Sequence, residues 1–292
     1  MKAHGKLFSF LIHSNLFIGL AAAGLAFQTR IEFGLPAAFK PYLLLMFFAT
    51  FFDYNLHRLN TFVFHRDALQ NPKHRWLREN TWLFFTMCAI SFIGFAATLF
   101  FAKTEVLLTL LPFALITFFY SFPFYAGKSK QYRLRDIPYF KNILIATVWA
   151  GSSTLLPFVE SEVHIPLNSV AALFALRFLL IFAVSIPFDL RDADNDKKQG
   201  LKTIVHLGSE RSGIKAAALI LMLMAAAASA YHIWMQQMHF AAAYLFSAWA
   251  GIFILRSERL KTHPLYHHGF VDGIIALQIL FVIMAYVLRN MF

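Results

Sequence analysis

Apolar residues in this chain come in long unbroken runs, with little of the alternating or helical rhythm of a half-buried surface element. Nine runs of roughly 20 residues, the length one helix needs to cross a hydrocarbon core, fall at about 7–27, 41–57, 81–101, 106–125, 138–158, 168–188, 214–234, 238–255 and 270–288. Helices that are apolar on most faces show a weak period, so length and flanking charge set these assignments. The pattern predicts an all-α, polytopic integral membrane bundle of about nine transmembrane helices. No Gly/Ser linker or large polar block interrupts it, so residues 1–292 are read as a single membrane domain. The two longest polar segments, about 58–80 and 189–213, each follow an even-numbered span. Each joins the second and third helices of a four-helix block, an arrangement consistent with an internal repeat plus a ninth helix.

Composition agrees: 59% of residues are hydrophobic and only 14% charged, which excludes an ordinary water-soluble domain. Charge placement then gives sidedness. Of the 26 Lys and Arg residues, 20 fall in the N-terminus or after even-numbered spans, whereas the opposite connections hold Arg30, Lys40, Lys103 and Arg289. The positive-inside rule therefore puts the N-terminus and both long loops in the cytoplasm and the C-terminus outside. The net charge of +11 is a topology signal, and no nucleic-acid partner is expected. Lys2, Lys6 and Ala21-Ala22-Ala23 resemble the parts of a cleavable signal sequence, but the run between them is long enough to be the first span. Cys88 is the lone cysteine, so the chain forms no internal disulfide.

Candidate chemistry concentrates in Asp189-Leu-Arg-Asp-Ala-Asp-Asn-Asp-Lys-Lys-Gln-Gly-Leu-Lys-Thr203, directly after the sixth span. Asp189, Asp192 and Asp196 stand at i, i+3 and i+7, so on a helix they share one face. Carboxylates crowded there repel unless a cation or solvent neutralises them. A membrane helix end that gathers carboxylates suits Mg²⁺ holding a phosphate. The same spacing also fits a solvated acidic loop followed by basic residues.

This segment resembles the second aspartate motif of the UbiA family of intramembrane prenyltransferases, in the form Arg191-Asp192-Ala193-Asp194-Asn195-Asp196-Lys197-Lys198-Gln199-Gly200-Leu201-Lys202-Thr203 and on through Leu207-Gly208. Tyr120-Ser121-Phe122-Pro123 and Arg135-Asp136-Ile137-Pro138, with Lys141-Asn142, are similar to the family's segment between its fourth and fifth helices. The resemblance implies Mg²⁺-dependent transfer of a prenyl group from a prenyl diphosphate donor to a lipophilic acceptor, an aromatic molecule or quinone precursor. Asp189, Asp192 and Asp196 would then hold the metal and carry the catalysis. Arg191, Lys197, Lys198 and Lys202 would clamp the diphosphate, as would Lys141 unless it merely snorkels toward the headgroups.

The family's first motif, Asn-Asp-x-x-Asp-x-x-x-Asp, is not matched. The corresponding stretch reads Phe51-Phe52-Asp53-Tyr54-Asn55-Leu56-His57-Arg58. Asp53 is the one carboxylate left as a metal ligand, with Asn55, His57 and Arg58 as substrate contacts. A guanidinium can replace a metal ion in cancelling phosphate charge, so Arg58 is the natural substitute. An ion pair of Asp53 with Arg58 or His57 that secures the helix end is the structural alternative. The departure leaves two readings open: a prenyltransferase, or a non-catalytic membrane protein of the same fold that binds isoprenoid lipids. Phe124 also replaces the Lys of a Tyr-x-x-x-Lys pattern. Arg177 lies mid-span with no partner that spacing can identify. Asp272 is expected to be exposed at the interface, and His263, His267 and His268 are expected in a solvated loop.

Sidedness is directly testable. Reporter fusions after residues 67, 130, 200 and 262 are expected to report cytoplasm and a C-terminal fusion the outside. A cytoplasmic C-terminus would remove the nine-span reading.

Overall fold

A computed structural model describes residues 3–64, 75–122, 125–126, 131–198 and 209–291. The helices are α1 (Ala3–His13), α2 (Leu16–Glu32), α3 (Pro41–Phe64), α4 (Arg75–Glu79), α5 (Thr81–Phe100), α6 (Thr104–Ser121), α7 (Lys141–Val159), α8 (Leu167–Lys198), α9 (Glu210–Trp234), α10 (Met238–Arg256), α11 (Glu258–Lys261) and α12 (Gly273–Met291). A two-residue antiparallel pairing joins Tyr125–Ala126 to Gln131–Tyr132. The fold is all-α, as the apolar runs require: in hydrocarbon a helix satisfies every backbone group within its own segment.

Seven helices among the described residues are long and apolar enough to cross a membrane, and the α1–α2 pair, bent by 77°, makes an eighth. α3 is 24 residues long, and its second half carries Asp53, Asn55, His57 and Arg58, which lower its apolarity. The observed helices thus match the nine predicted segments, except that α3 runs on to Phe64, past its predicted end near 57, and that two larger differences stand out. The first predicted span is broken at Ser14-Asn15. Asn15 has φ 67°, a left-handed conformation that Asn tolerates better than most residues. Second, α8 runs on to Lys198, well past the predicted end near 188. Its 32 residues are about 48 Å long at 1.5 Å per residue, against a hydrocarbon core of about 30 Å. The helix is thus longer than one crossing needs, and its last third keeps Asp189 and Asp192 helical.

The chain divides into two units, Met1–Gly24 with Ala38–Leu107, and Leu25–Ala37 with Leu108–Phe292. In the first, α3 packs on α5. A Cβ added at Gly94 of α5 would fall within the Phe48 ring of α3, so this approach needs glycine. In the second, α7 packs on α8, α8 on α9, α9 on α10, and α10 on α12. The buried face of α9 is Ile214, Ala217, Ala218, Leu221, Met224, Ala225 and Ala228, a helical period written largely in alanine. Small residues bring the helix axes close, which is how membrane helices gain contact without a hydrophobic driving force. Outward faces are apolar too: Phe92, Ile93 and Phe100 of α5 and Leu108 and Leu111 of α6 are all exposed.

The second unit also supplies the partner of Arg177. This fully buried side chain bonds the equally buried carboxylate of Glu32, at the end of α2. Its Nη1 donates to the Tyr244 hydroxyl at 2.5 Å and its Nη2 to Thr29 Oγ1 at 3.3 Å. With its oxygen turned to the guanidinium, the Gln28 carboxamide accepts from both terminal nitrogens at 3.2 Å. Tyr244 in turn donates to Glu32 at 2.7 Å, and His232 Nε2 lies 3.3 Å from the same carboxylate. Residues of α2, α8, α9 and α10 are thereby joined at one buried point. Arg177 is twelve residues before Asp189 on α8, or about 18 Å, so this network lies far from the acidic helix end.

Removing one member leaves an uncompensated charge in a medium without water. Arg177→Met is expected to destabilise the protein by about 3–5 kcal/mol, with Glu32→Gln added to it recovering at least half. Unfolding midpoints in detergent would measure both.

Candidate functional site

The acidic end of α8 is built against α7 and the segment preceding α12. Lys141, the first residue of α7, places its Nζ 2.8 Å from Asp189 Oδ1. The Asp189 carboxylate is only 2% exposed, so Lys141 contacts an anion supplied by the protein itself. Next to Lys141, Asn142 is buried, and among the described residues neither carboxamide atom has a hydrogen-bond partner. A buried amide of this kind retains full capacity to donate to and accept from a ligand or water.

Two residues beyond Asp189, Arg191 grips the neighbouring Asp192 carboxylate in a fork, Nε to Oδ1 at 2.9 Å and Nη2 to Oδ2 at 2.8 Å. The same guanidinium reaches His268 Nε2 at 3.0 Å and lies over the Phe188 ring at 5.1 Å. His268 Nδ1 is 3.7 Å from Asp272 Oδ2. A chain of charge and hydrogen bonds thus runs from Asp192 through Arg191 and His268 to Asp272.

Two sequence expectations are corrected here. Asp272 is only 8% exposed, because the chain bends back onto α8 and covers it. His267 and His268 lie in a π-helical turn, Tyr266–Val271, that leads into α12, and both rings contact Phe188. Inserting one residue per turn rotates the ring of His268 onto Arg191, and such turns are found most often at functional sites. Single-sequence reading missed this because the wider turn has no marker in residue spacing.

The first unit uses its polar residues differently. Arg58 Nη1 donates to the carbonyl of His13, the last residue of α1. Asn55, 1% exposed, accepts from Asn15 Nδ2 at 3.1 Å and donates to the Phe51 carbonyl at 2.7 Å. Asp53 pairs with His57 at 3.7 Å, one turn apart. His13 stacks on Trp76 with ring centroids 5.5 Å apart. In this unit Arg58 and Asn55 therefore serve the break between α1 and α2, closing the carbonyl end of one helix and holding the left-handed residue that starts the next. The contact foreseen as the structural alternative is the one between Asp53 and His57, an ion pair whenever the imidazole is protonated.

The donor chemistry can be set against Mg²⁺, which takes hard oxygen ligands. Asp192, with 28% of its side chain exposed, offers reachable carboxylate oxygens, and Asp189 stands beside it already neutralised by Lys141. The side chains of Asp196, Lys197 and Lys198, and the whole of Lys202, lie outside the described residues. Among the described residues no three metal-ligating side chains come together, so the oxygens of Asp189 and Asp192 are a partial set for the ion.

The sequence pattern of the UbiA prenyltransferase family matches residues 70–265. The chain belongs to that family. No protein of curated function matches it. The apo structure of a UbiA homologue from Aeropyrum pernix K1 shares the fold with a TM-score of 0.60 at 14% identity, over 95% of this chain and 99% of that one. A UbiA homologue from Archaeoglobus fulgidus, solved with GPP and Mg²⁺, gives 0.57 at 18% identity over the same shares. A structure of digeranylgeranylglyceryl phosphate synthase gives 0.52 at 15% identity, covering 97% of each chain. The protein is a multi-pass integral membrane protein of this fold.

The Arg58 contact has a measurable consequence. A hydrogen bond from a charged donor contributes about 1.5–3 kcal/mol. Arg58→Ala is therefore expected to raise backbone amide exchange around residues 13–16 by at least about 10-fold, read by hydrogen–deuterium exchange in detergent. Unchanged exchange there would release Arg58 from its structural duty.

Proposed function

We propose that this protein is an intramembrane prenyltransferase that takes its prenyl group from a prenyl diphosphate with the help of Mg²⁺. The observation that carries the reading is the projecting end of α8, where Asp189 and Asp192 stand on one helical face beside Lys141 and Arg191. Family membership supports it, as do Archaeoglobus fulgidus homologues solved with GPP or DMAPP and Mg²⁺. The acceptor in this proposal is a lipophilic aromatic or quinone-precursor molecule. The motif end faces the cytoplasm, as the distribution of Lys and Arg implies.

Residues of this chain divide the work by position. Lys141 fixes Asp189 in a pair that α7 and α8 both hold, so one carboxylate keeps a set direction. Arg191, braced by His268 and Phe188, orients Asp192 and brings a second positive charge to where diphosphate oxygens would lie. Asn142 offers both a donor and an acceptor from within the protein. When bound, Mg²⁺ supplies charge neutralisation of the diphosphate leaving group. The flanking apolar helices leave the prenyl tail in hydrocarbon, so transfer of the head needs no desolvation of the tail.

A second reading has its own observation. The residues that replace the family's first-motif aspartates are committed to the α1–α2 junction, so that stretch contributes Asp53 as its sole carboxylate. A protein of this fold that binds isoprenoid lipids without turning them over would look the same there.

Pyrophosphate release separates the two. Purified protein with Mg²⁺ and prenyl diphosphates of several lengths is expected to release pyrophosphate. Asp192→Asn and Asp196→Asn are each expected to lower that rate by at least ~100-fold, through lost stabilisation of the leaving group. Saturable isoprenoid binding that survives chelation, without pyrophosphate release from any donor, would leave the fold standing and remove the enzyme.

A further inference from the structure

The surface between the start of α9 and the end of α10 holds a feature whose walls include none of the residues assigned to the aspartate site. A cavity of about 440 Å³ is walled by Arg211, Lys215, Arg256 and Lys261, against the carboxylates of Glu210 and Glu258. Lys261 is paired with Glu258 at 2.8 Å. Among the described residues Arg211, Lys215 and Arg256 have no ion pair. The wall therefore carries an excess of positive charge at the depth where a spanning helix meets the headgroup layer.

Two further observations point to what fills it. Arg256 also borders a shallower groove of about 270 Å³ that continues along α10 past Phe253, Ile252 and Trp249. Trp249 and Phe253 are 71% and 62% exposed and stack with centroids 6.5 Å apart, forming an aromatic wall on the outward face of α10.

We propose that this cavity and groove form a binding site for one anionic phospholipid, its phosphate headgroup among Arg211, Lys215 and Arg256 and its acyl chain along Phe253 and Trp249. A phosphate presents several acceptor oxygens to the guanidinium forks of Arg211 and Arg256. The chain finds a groove that starts at the same Arg256, a continuity a soluble phosphate ester would not use. Basic residues near a membrane surface each favour anionic lipid, and their placement around a cavity converts a diffuse preference into a site.

Trp249 is the reporter. The full chain is reconstituted in phosphatidylcholine vesicles that contain tail-brominated phosphatidylglycerol or, at equal mole fraction, tail-brominated phosphatidylcholine. Quenching of Trp249 is isolated by difference from Trp249→Phe. The expected result is a roughly 5-fold preference for the anionic lipid beside Trp249. Arg256→Gln removes it, and Glu258→Gln, which deletes a competing carboxylate, strengthens it; a misfolded variant would not gain binding. Equal quenching by the two lipids overturns the proposal, as does a preference that Arg256→Gln leaves intact. Loss of the preference on adding millimolar inorganic phosphate also overturns it, because the site would then serve a soluble phosphate; persistence supports it.

Discussion

A buried guanidinium has no solvent to fall back on in a bilayer, and the larger unit of this fold is arranged so that Arg177 never needs one. Glu32 cancels its charge, and Tyr244, Thr29 and Gln28 take its remaining hydrogen bonds. These partners come from α2 and α10, and His232 of α9 completes the carboxylate's surroundings. A single arginine thereby determines which helices may be neighbours and at what depth, because any slip of register would strand a charge in hydrocarbon. Alanine-lined packing on α9 provides proximity, whereas the ionic cluster provides uniqueness.

The opposite end of α8 has the contrasting task of keeping charge accessible. The helix is longer than one crossing needs, and the extra turns are stabilised by contacts to the outside of the helix: Lys141 on Asp189, Arg191 on Asp192, His268 behind Arg191. Each carboxylate is held by a cation that is itself held. Rigid α7 and the π-helical turn before α12 provide the supports, so the acidic group is presented on a framework and not on a loop. The adjoining buried Asn142 adds polar capacity at the same end.

Within the first unit, the same residue types do structural work. A left-handed Asn15 breaks the entry helix, Asn55 holds it, and Arg58 takes the exposed carbonyl of His13. At the 77° break, polar groups of this stretch close a helix end. A helix terminus leaves carbonyls in need of donors, and Arg58 supplies one.

The sequence by itself determined the class of the protein, because hydrocarbon admits few backbone solutions and run length reports them directly. Six of the nine predicted segments could be placed to within a few residues for that reason, α8's long overrun, the extension of α3 to Phe64 and the broken first segment being the exceptions. It also determined that Asp189 and Asp192 share a face, since helical spacing is a local property. Partners across the bundle were a different matter. Nothing in spacing links Arg177 to a glutamate 145 residues earlier, or His268 to an arginine 77 residues before it. Those pairings depend on which faces meet once the helices pack, and on a π-helical turn whose extra residue rotates His268 toward α8. The exposure of Asp272 was misread for the same reason: a residue at a helix start looks solvated until another helix end covers it. Local periodicity is written in the chain, but the identity of a buried charge's partner is decided only by tertiary packing, where leaving it unpaired would cost more than the fold can spare.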